Sequence, residues 1–190
     1  MFNELKTAQA AAYLVAKEGG KMSHLKLMKL LYLADRESYK VFNTSITGDS
    51  YCSMPYGPFL STALNLINGY VRFDKNWSKW ISDKADHCVG SDYSIANDPD
   101  LDDLDELSRN DISILTDIYE KFGGYNQWEL VDYTHDPINI PEWKDPQGSS
   151  MPIHLDTLLT YLGKDRNTIQ AIMNENDLRL EFNSIIQRNQ

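Results

Sequence analysis

Asp35, Asp132 and His135 are the residues of this chain best placed, by type and spacing, to do chemistry. Leu25, Met28, Tyr32, Asp35 and Tyr39 recur at a 3-4-3-4 spacing, which sets Asp35 on an otherwise apolar and aromatic helix seam. A carboxylate stripped of water in such a place needs donors or a cation. Asp132 and His135 stand three residues apart on one helix face and can share a hydrogen bond. The three are either acid–base parts of a small hydrolase or transferase, or a buried polar network that fixes helix packing. No Gly-x-Ser-x-Gly elbow is present, and neither Cys52 nor Cys88 sits in a nucleophile motif. His24, His87, His135 and His154 show no ligand spacing with each other or with the cysteines, so no metal is expected. In "GGKMS" (19–23), Met22 occupies the place where a phosphate-binding loop has Ser or Thr, and a helix rather than a strand precedes it. Without nucleophile, metal or cofactor motif, the structural network is the expected role.

The elements that would position these residues are mostly helices. The amphipathic N-terminus predicts a helix from about Thr7 to Lys17, stopped by Gly19-Gly20. Ser23 then caps "HLKLMKLLYLADRESYKVF", whose apolar residues nearly close a circle, as in a helix central to a core. Its polar line is Lys26, Lys29, Arg36 and Lys40, a basic stripe that is either solvated or meets a partner. In "SMPYGPFLSTALNLING" (53–69), Pro58 suits the first position of a helix and Gly57 the sharp turn before it, with Leu60, Leu64 and Ile67 following at helical spacing. Met54, Tyr56 and Phe59 around that corner are either core or anchors for a partner, being residue types enriched at interface centres. Residues 70–93 lack a helical period and read as two or three short antiparallel strands. Ser108 with Asp111 and Asn126 with Glu129 form capping boxes for two helices, the second closed by Asp136-Pro137. A Pro-rich loop (137–152) leads to one more helical face, Leu155 to Leu162. Ile169, Ile172 and Met173 then fall on one face, and Leu178, Phe182 and Ile185 nearly opposite, which predicts a break across "NEND" (174–177). The expected fold is a mainly helical α+β single domain with a small antiparallel sheet, residues 1–163, followed by a C-terminal helical extension, 164–190.

The chain has 190 residues, enough to bury about 70% of its extended surface without disulfide or metal. The two cysteines read as reduced thiols of a cytoplasmic protein. No signal peptide or membrane-length apolar run is seen. Lys and Arg total 18 against 28 Asp and Glu, a net charge of −10. Nine of the acids and one Lys lie between Asp83 and Glu106, an acidic loop that is either solvated or steers toward a basic partner. So acidic a chain without a basic tract is not expected to bind nucleic acid.

Three stretches occur in a fixed order: "LKLMKLLYLAD" (25–35), "YGP" (56–58), and "ELVDYTHDP" (129–137) followed by Trp143. Together they resemble the Panacea, or SocA-like, antitoxin domain over roughly residues 5–145. The residues that carry the resemblance are Lys26, Leu27, Lys29, Leu30, Leu31, Tyr32, Ala34 and Asp35, then Gly57 and Pro58, then Glu129, Leu130, His135 and Trp143. Two departures bear on local contacts: Met54-Pro55-Tyr56 replaces an Ala-Trp-like step, and Glu142-Trp143 replaces Pro-Trp. The resemblance implies a bacterial or phage antitoxin, one half of a toxin–antitoxin system, that neutralises a co-encoded protein toxin by direct contact, without catalysis. Delivery of the partner to a protease is an alternative, and homo-oligomers are possible. The DNA-binding module of many antitoxins has no counterpart in this sequence. Met54, Tyr56 and Phe59, with Leu178, Phe182 and Ile185 of the C-terminal run, are the expected partner contacts.

Overall fold

The computed structural model describes residues 1–71, 76–94 and 103–188, with the side chains of the last helix described up to Phe182 except Leu180. Helix α1 (Glu4–Lys17) is capped by Asn3, whose side chain accepts from the Lys6 amide at 3.0 Å. Ala8, Ala10, Ala11 and Ala12 are all fully buried, so the small side chains let this helix lie close against its neighbours. Gly19 and Gly20, both at positive φ (96° and 92°), turn the chain into strand β1 (Lys21–Ser23).

Helix α2 (His24–Phe42) is the core element the apolar circle predicts: every residue from Leu25 to Asp35 is buried. Strands β2 (Tyr51–Met54) and β3 (Gly57–Leu60) then form a hairpin pairing Ser53 with Pro58 and Met54 with Gly57. This corrects the reading of Pro58 as the first residue of a helix. Pro58 lies in β3, an edge strand that among the described residues pairs only with β2, and an edge tolerates the missing donor. Helix α3 (Ser61–Ile67) starts three residues later, its Thr62 and Ala63 amides donating to the carboxylate of Asp49.

Residues 70–93 also depart from expectation. Among the described residues they hold a short helix, α4 (Trp77–Trp80), and one strand, β4 (Cys88–Gly90), antiparallel to β1. Aromatic and β-branched content there serves packing of Trp77, Ile81 and Val89 into the core rather than a hairpin. Of the acidic loop, residues 95–102 lie outside the described residues; Asp103, Asp105 and Glu106 are exposed. Both capping boxes form, at the starts of α5 (Arg109–Phe122) and α6 (Gln127–His135).

The loop after α6 contains an unforeseen strand, β5 (Met151–Ile153), which completes the sheet by pairing with β2. Helix α7 (Leu155–Tyr161) buries Leu158 and Leu159. Helix α8 (Arg166–Arg188) runs unbroken through residues 174–177, contrary to the expected break. Asn, Glu and Asp without Gly or Pro continue a helix at modest cost, so the shift in apolar phase moves the stripe around the helix instead of ending it. Its first half is tied to the body by the buried Ile172, and just before the helix Lys164 Nζ donates to the Lys40 carbonyl at 2.7 Å. The molecule is a single compact, mainly helical domain with two small antiparallel sheets, as the sequence predicts. Among the described residues, no helix is long and apolar enough to cross a membrane.

Candidate functional site

The β2–β3 hairpin is locked to α2 by a buried lysine. Lys29 is fully buried; its Nζ donates to the Pro58 carbonyl at 3.0 Å and lies 4.0 Å from the centre of the Phe59 ring. Burial holds this amine well below the usual lysine range, and one carbonyl with one ring face offsets only part of the lost hydration. Gly57 explains itself here. At φ +100° it lies so close to α2 and α6 that a Cβ would stand 2.5 Å from Lys29 Nζ and 2.7 Å from Thr134 Oγ1.

A second set of contacts fixes the other side of the hairpin. Trp143 Nε1 donates to the Met54 carbonyl at 3.2 Å, and the Lys144 amide donates to Ser53 Oγ at 3.2 Å. Glu142 anchors this loop from below: its buried carboxylate accepts from Tyr32 Oη at 2.7 Å and from Arg36 Nε at 2.6 Å. His135 stacks on Trp143, centroids 4.1 Å apart and planes within 14°. Burial first, then the nearby Lys29, lowers the His135 pKa. Its Nε2 is buried with no hydrogen-bond partner among the described residues.

Held in this way, the hairpin borders a groove of about 640 Å³. Phe59 forms its buried floor beside Leu25 and Leu64, with Met54 half-buried at one side. Tyr56 and Trp128 make the rim, 55% and 54% exposed, their rings edge to face at 5.8 Å. The polar border holds Lys84 and the stacked His24 and His87, and no acidic residue is among the described residues that line it. The His87 carbonyl can only accept, so His24 Nδ1 carries the proton of their 2.8 Å contact.

The expected network of Asp35, Asp132 and His135 is not assembled. Asp35 is fully buried, but its carboxylate accepts from the Ile46 and Thr47 amides (2.8 and 3.0 Å), the Thr47 hydroxyl, and Tyr51 Oη (3.0 Å). Desolvation outweighs these bonds and pushes its pKa up to about 6. It latches the loop after α2, whereas His135 sits on Trp143 and Asp132 is exposed. The spacing placed Asp35 correctly on an inward seam; its partners come from residues whose position only the tertiary fold decides. The enzymatic reading therefore has no common site in these three residues.

The basic stripe of α2 is likewise turned inward. Lys26 Nζ donates to Glu18 at 2.6 Å and to the Gly123 carbonyl at 2.7 Å, Lys29 and Arg36 are bonded as above, and Lys40 alone of the four is exposed. Glu129 is a helix cap, bonding the Asn126 amide at 2.7 Å. Met54, Tyr56 and Phe59 do converge on one groove, joined by Trp128, which periodicity did not single out. Leu178 and Phe182 do not reach that groove in the same chain, and Ile185 lies outside the described side chains.

A model of the family "Antitoxin SocA-like, Panacea domain" matches residues 27–144. No curated protein and no solved structure matches the chain. The matched span exceeds half of the sequence and contains the Lys29–Gly57 lock, the Glu142 anchor and the His135–Trp143 stack: the chain belongs to the antitoxin SocA-like, Panacea domain family.

Proposed function

We propose that this protein neutralises a protein toxin by direct contact, with the Tyr56–Trp128 groove as the seat and no catalytic step. The observation that carries the reading is an exposed aromatic pair, Tyr56 at the turn of a hairpin held by Lys29 and Trp143 and Trp128 on the adjoining α6. Rigid aromatic anchors lose little conformational freedom on binding and account for a large share of interface energy. Met54 and Phe59 complete the apolar bed beneath them. The family name supports an antitoxin role in general; the toxin's chemistry is not carried over with it.

The test is co-expression with the product of the adjoining reading frame. Tyr56→Ala/Trp128→Ala should abolish protection while the melting temperature stays within a few degrees of wild type, since both side chains are half in solvent. Full protection by this variant would remove the groove from the toxin contact. Toxin half-life in the same cells distinguishes simple neutralisation, which leaves the toxin level steady, from delivery to a protease, which lowers it.

A further inference from the structure

The second half of α8 carries an apolar pair that is mostly exposed among the described residues. Leu178 and Phe182 are 65% and 66% exposed, and their i, i+4 spacing stacks them on one side of the helix. The helix joins the domain just ahead of the stripe, where Ile172 is buried, and it is already helical through Leu178 and Phe182. Burying the stripe therefore carries no cost of forming the helix.

We infer that the α8 stripe of one copy seats in the Tyr56–Trp128 groove of a second copy. The two surfaces are complementary in shape class and in charge. An amphipathic helix lays i, i+4 anchors into an apolar groove, and a Leu–Phe pair suits a cleft of about 640 Å³ floored by Phe59, Leu25 and Leu64. Residues 175–181 hold Glu175, Asp177 and Glu181 against the single base Arg179. The groove, in a chain of net charge −10, has no acid among the described residues that line it and is bordered by Lys84, His24 and His87. An acidic helix segment therefore meets a groove lined by none of the described acids. No described α8 residue lines the groove of its own chain, so a second copy supplies the helix. Reciprocal exchange closes a dimer with two such contacts; a one-way contact extends a chain of copies.

Toxin and second copy then compete for one groove, so this inference is tested without toxin, on the purified full chain alone. Sedimentation velocity over a micromolar concentration series should show reversible self-association. Leu178→Ser/Phe182→Ser and, separately, Tyr56→Ala/Trp128→Ala should each weaken it by on the order of thirtyfold or more. Circular dichroism checks that both variants keep the fold. Mixing the two variants is the decisive arm. One contributes an intact groove and the other an intact helix, so a heterodimer with a single contact should form although neither variant pairs with itself. Wild type monomeric throughout overturns the inference. So does association lost in the helix variant alone, which means helix pairs with helix, or a mixture that fails to associate.

Discussion

Asp35 illustrates how far burial can outweigh good hydrogen bonding. Its carboxylate accepts from two amides and two hydroxyls, yet desolvation raises its pKa from 3.8 to about 6. The folded state therefore binds a proton more tightly than the unfolded chain. That contribution is fully present below about pH 4 and is lost as pH rises through about 6, on the order of 3 kcal/mol in all. Asp35→Asn keeps an acceptor for the amides and a donor for the Thr47 and Tyr51 oxygens, without a charge to desolvate. Melting temperatures of variant and wild type should then converge near pH 4 and separate toward pH 7, with the variant higher. A wild type that gains on the variant with rising pH would show that the hydrogen bonds win. Gly57, unlike Asp35, has one acceptable identity. Gly57→Ala combines a strained φ with two sub-3 Å contacts and should cost about 2–4 kcal/mol in urea unfolding. In a double-mutant cycle with Lys29→Ala the two losses should fall short of their sum, because the lysine is one of the atoms struck.

At the scale of elements, α8 divides into a half that stabilises and a half that is presented. Ile172→Ala should cost about 2–4 kcal/mol, since Ile172 is buried. Phe182→Ser should change stability by no more than about 0.5 kcal/mol, because its ring already faces solvent. Equal losses from both would mean that the stripe packs on its own domain. The same helix shows what the sequence could and could not disclose. The phase flip between Ile172 and Leu178 was legible, and it does mark a change of face; the inferred break was not real, because polarity alone does not stop a helix. Helix α2 and the two capping boxes were legible because their signals are local. Pro58 misled because Gly-Pro before an apolar run fits a helix start as well as an edge strand, and the deciding partner, Ser53, sits across a hairpin. Strand β5 is three residues long and defined only by pairing with β2. At the groove, residue type exposed Met54, Tyr56 and Phe59, but Trp128 joins them through the position of α6. Lys29 reads as part of a stripe that is solvated or meets a partner, because a sequence does not reveal that a helix is buried on its polar line too.

For the whole molecule, the inward turn of that polar line decides what the surface offers to a large partner. Nucleic-acid affinity is built from Lys and Arg that neutralise phosphates and release counterions. Of the 18 Lys and Arg, Lys26, Lys29 and Arg36 are committed to Glu18, the Gly123 carbonyl, the Pro58 carbonyl and Glu142, leaving Lys40 as the exposed member of the α2 stripe. The surface left to act at a distance belongs to a chain of net charge −10, whose field repels a phosphate backbone before any contact forms. The Tyr56–Trp128 groove has no acid among its described lining residues, but its border of Lys84, His24 and His87 is too small to neutralise a run of phosphates. The purified chain should therefore give no gel shift with DNA from upstream of its own reading frame at physiological salt. Lowering the salt, which strengthens cationic binding steeply, should not produce a shift either. Nanomolar, salt-sensitive binding would mean that a cationic face is assembled in solution which these buried lysines do not provide.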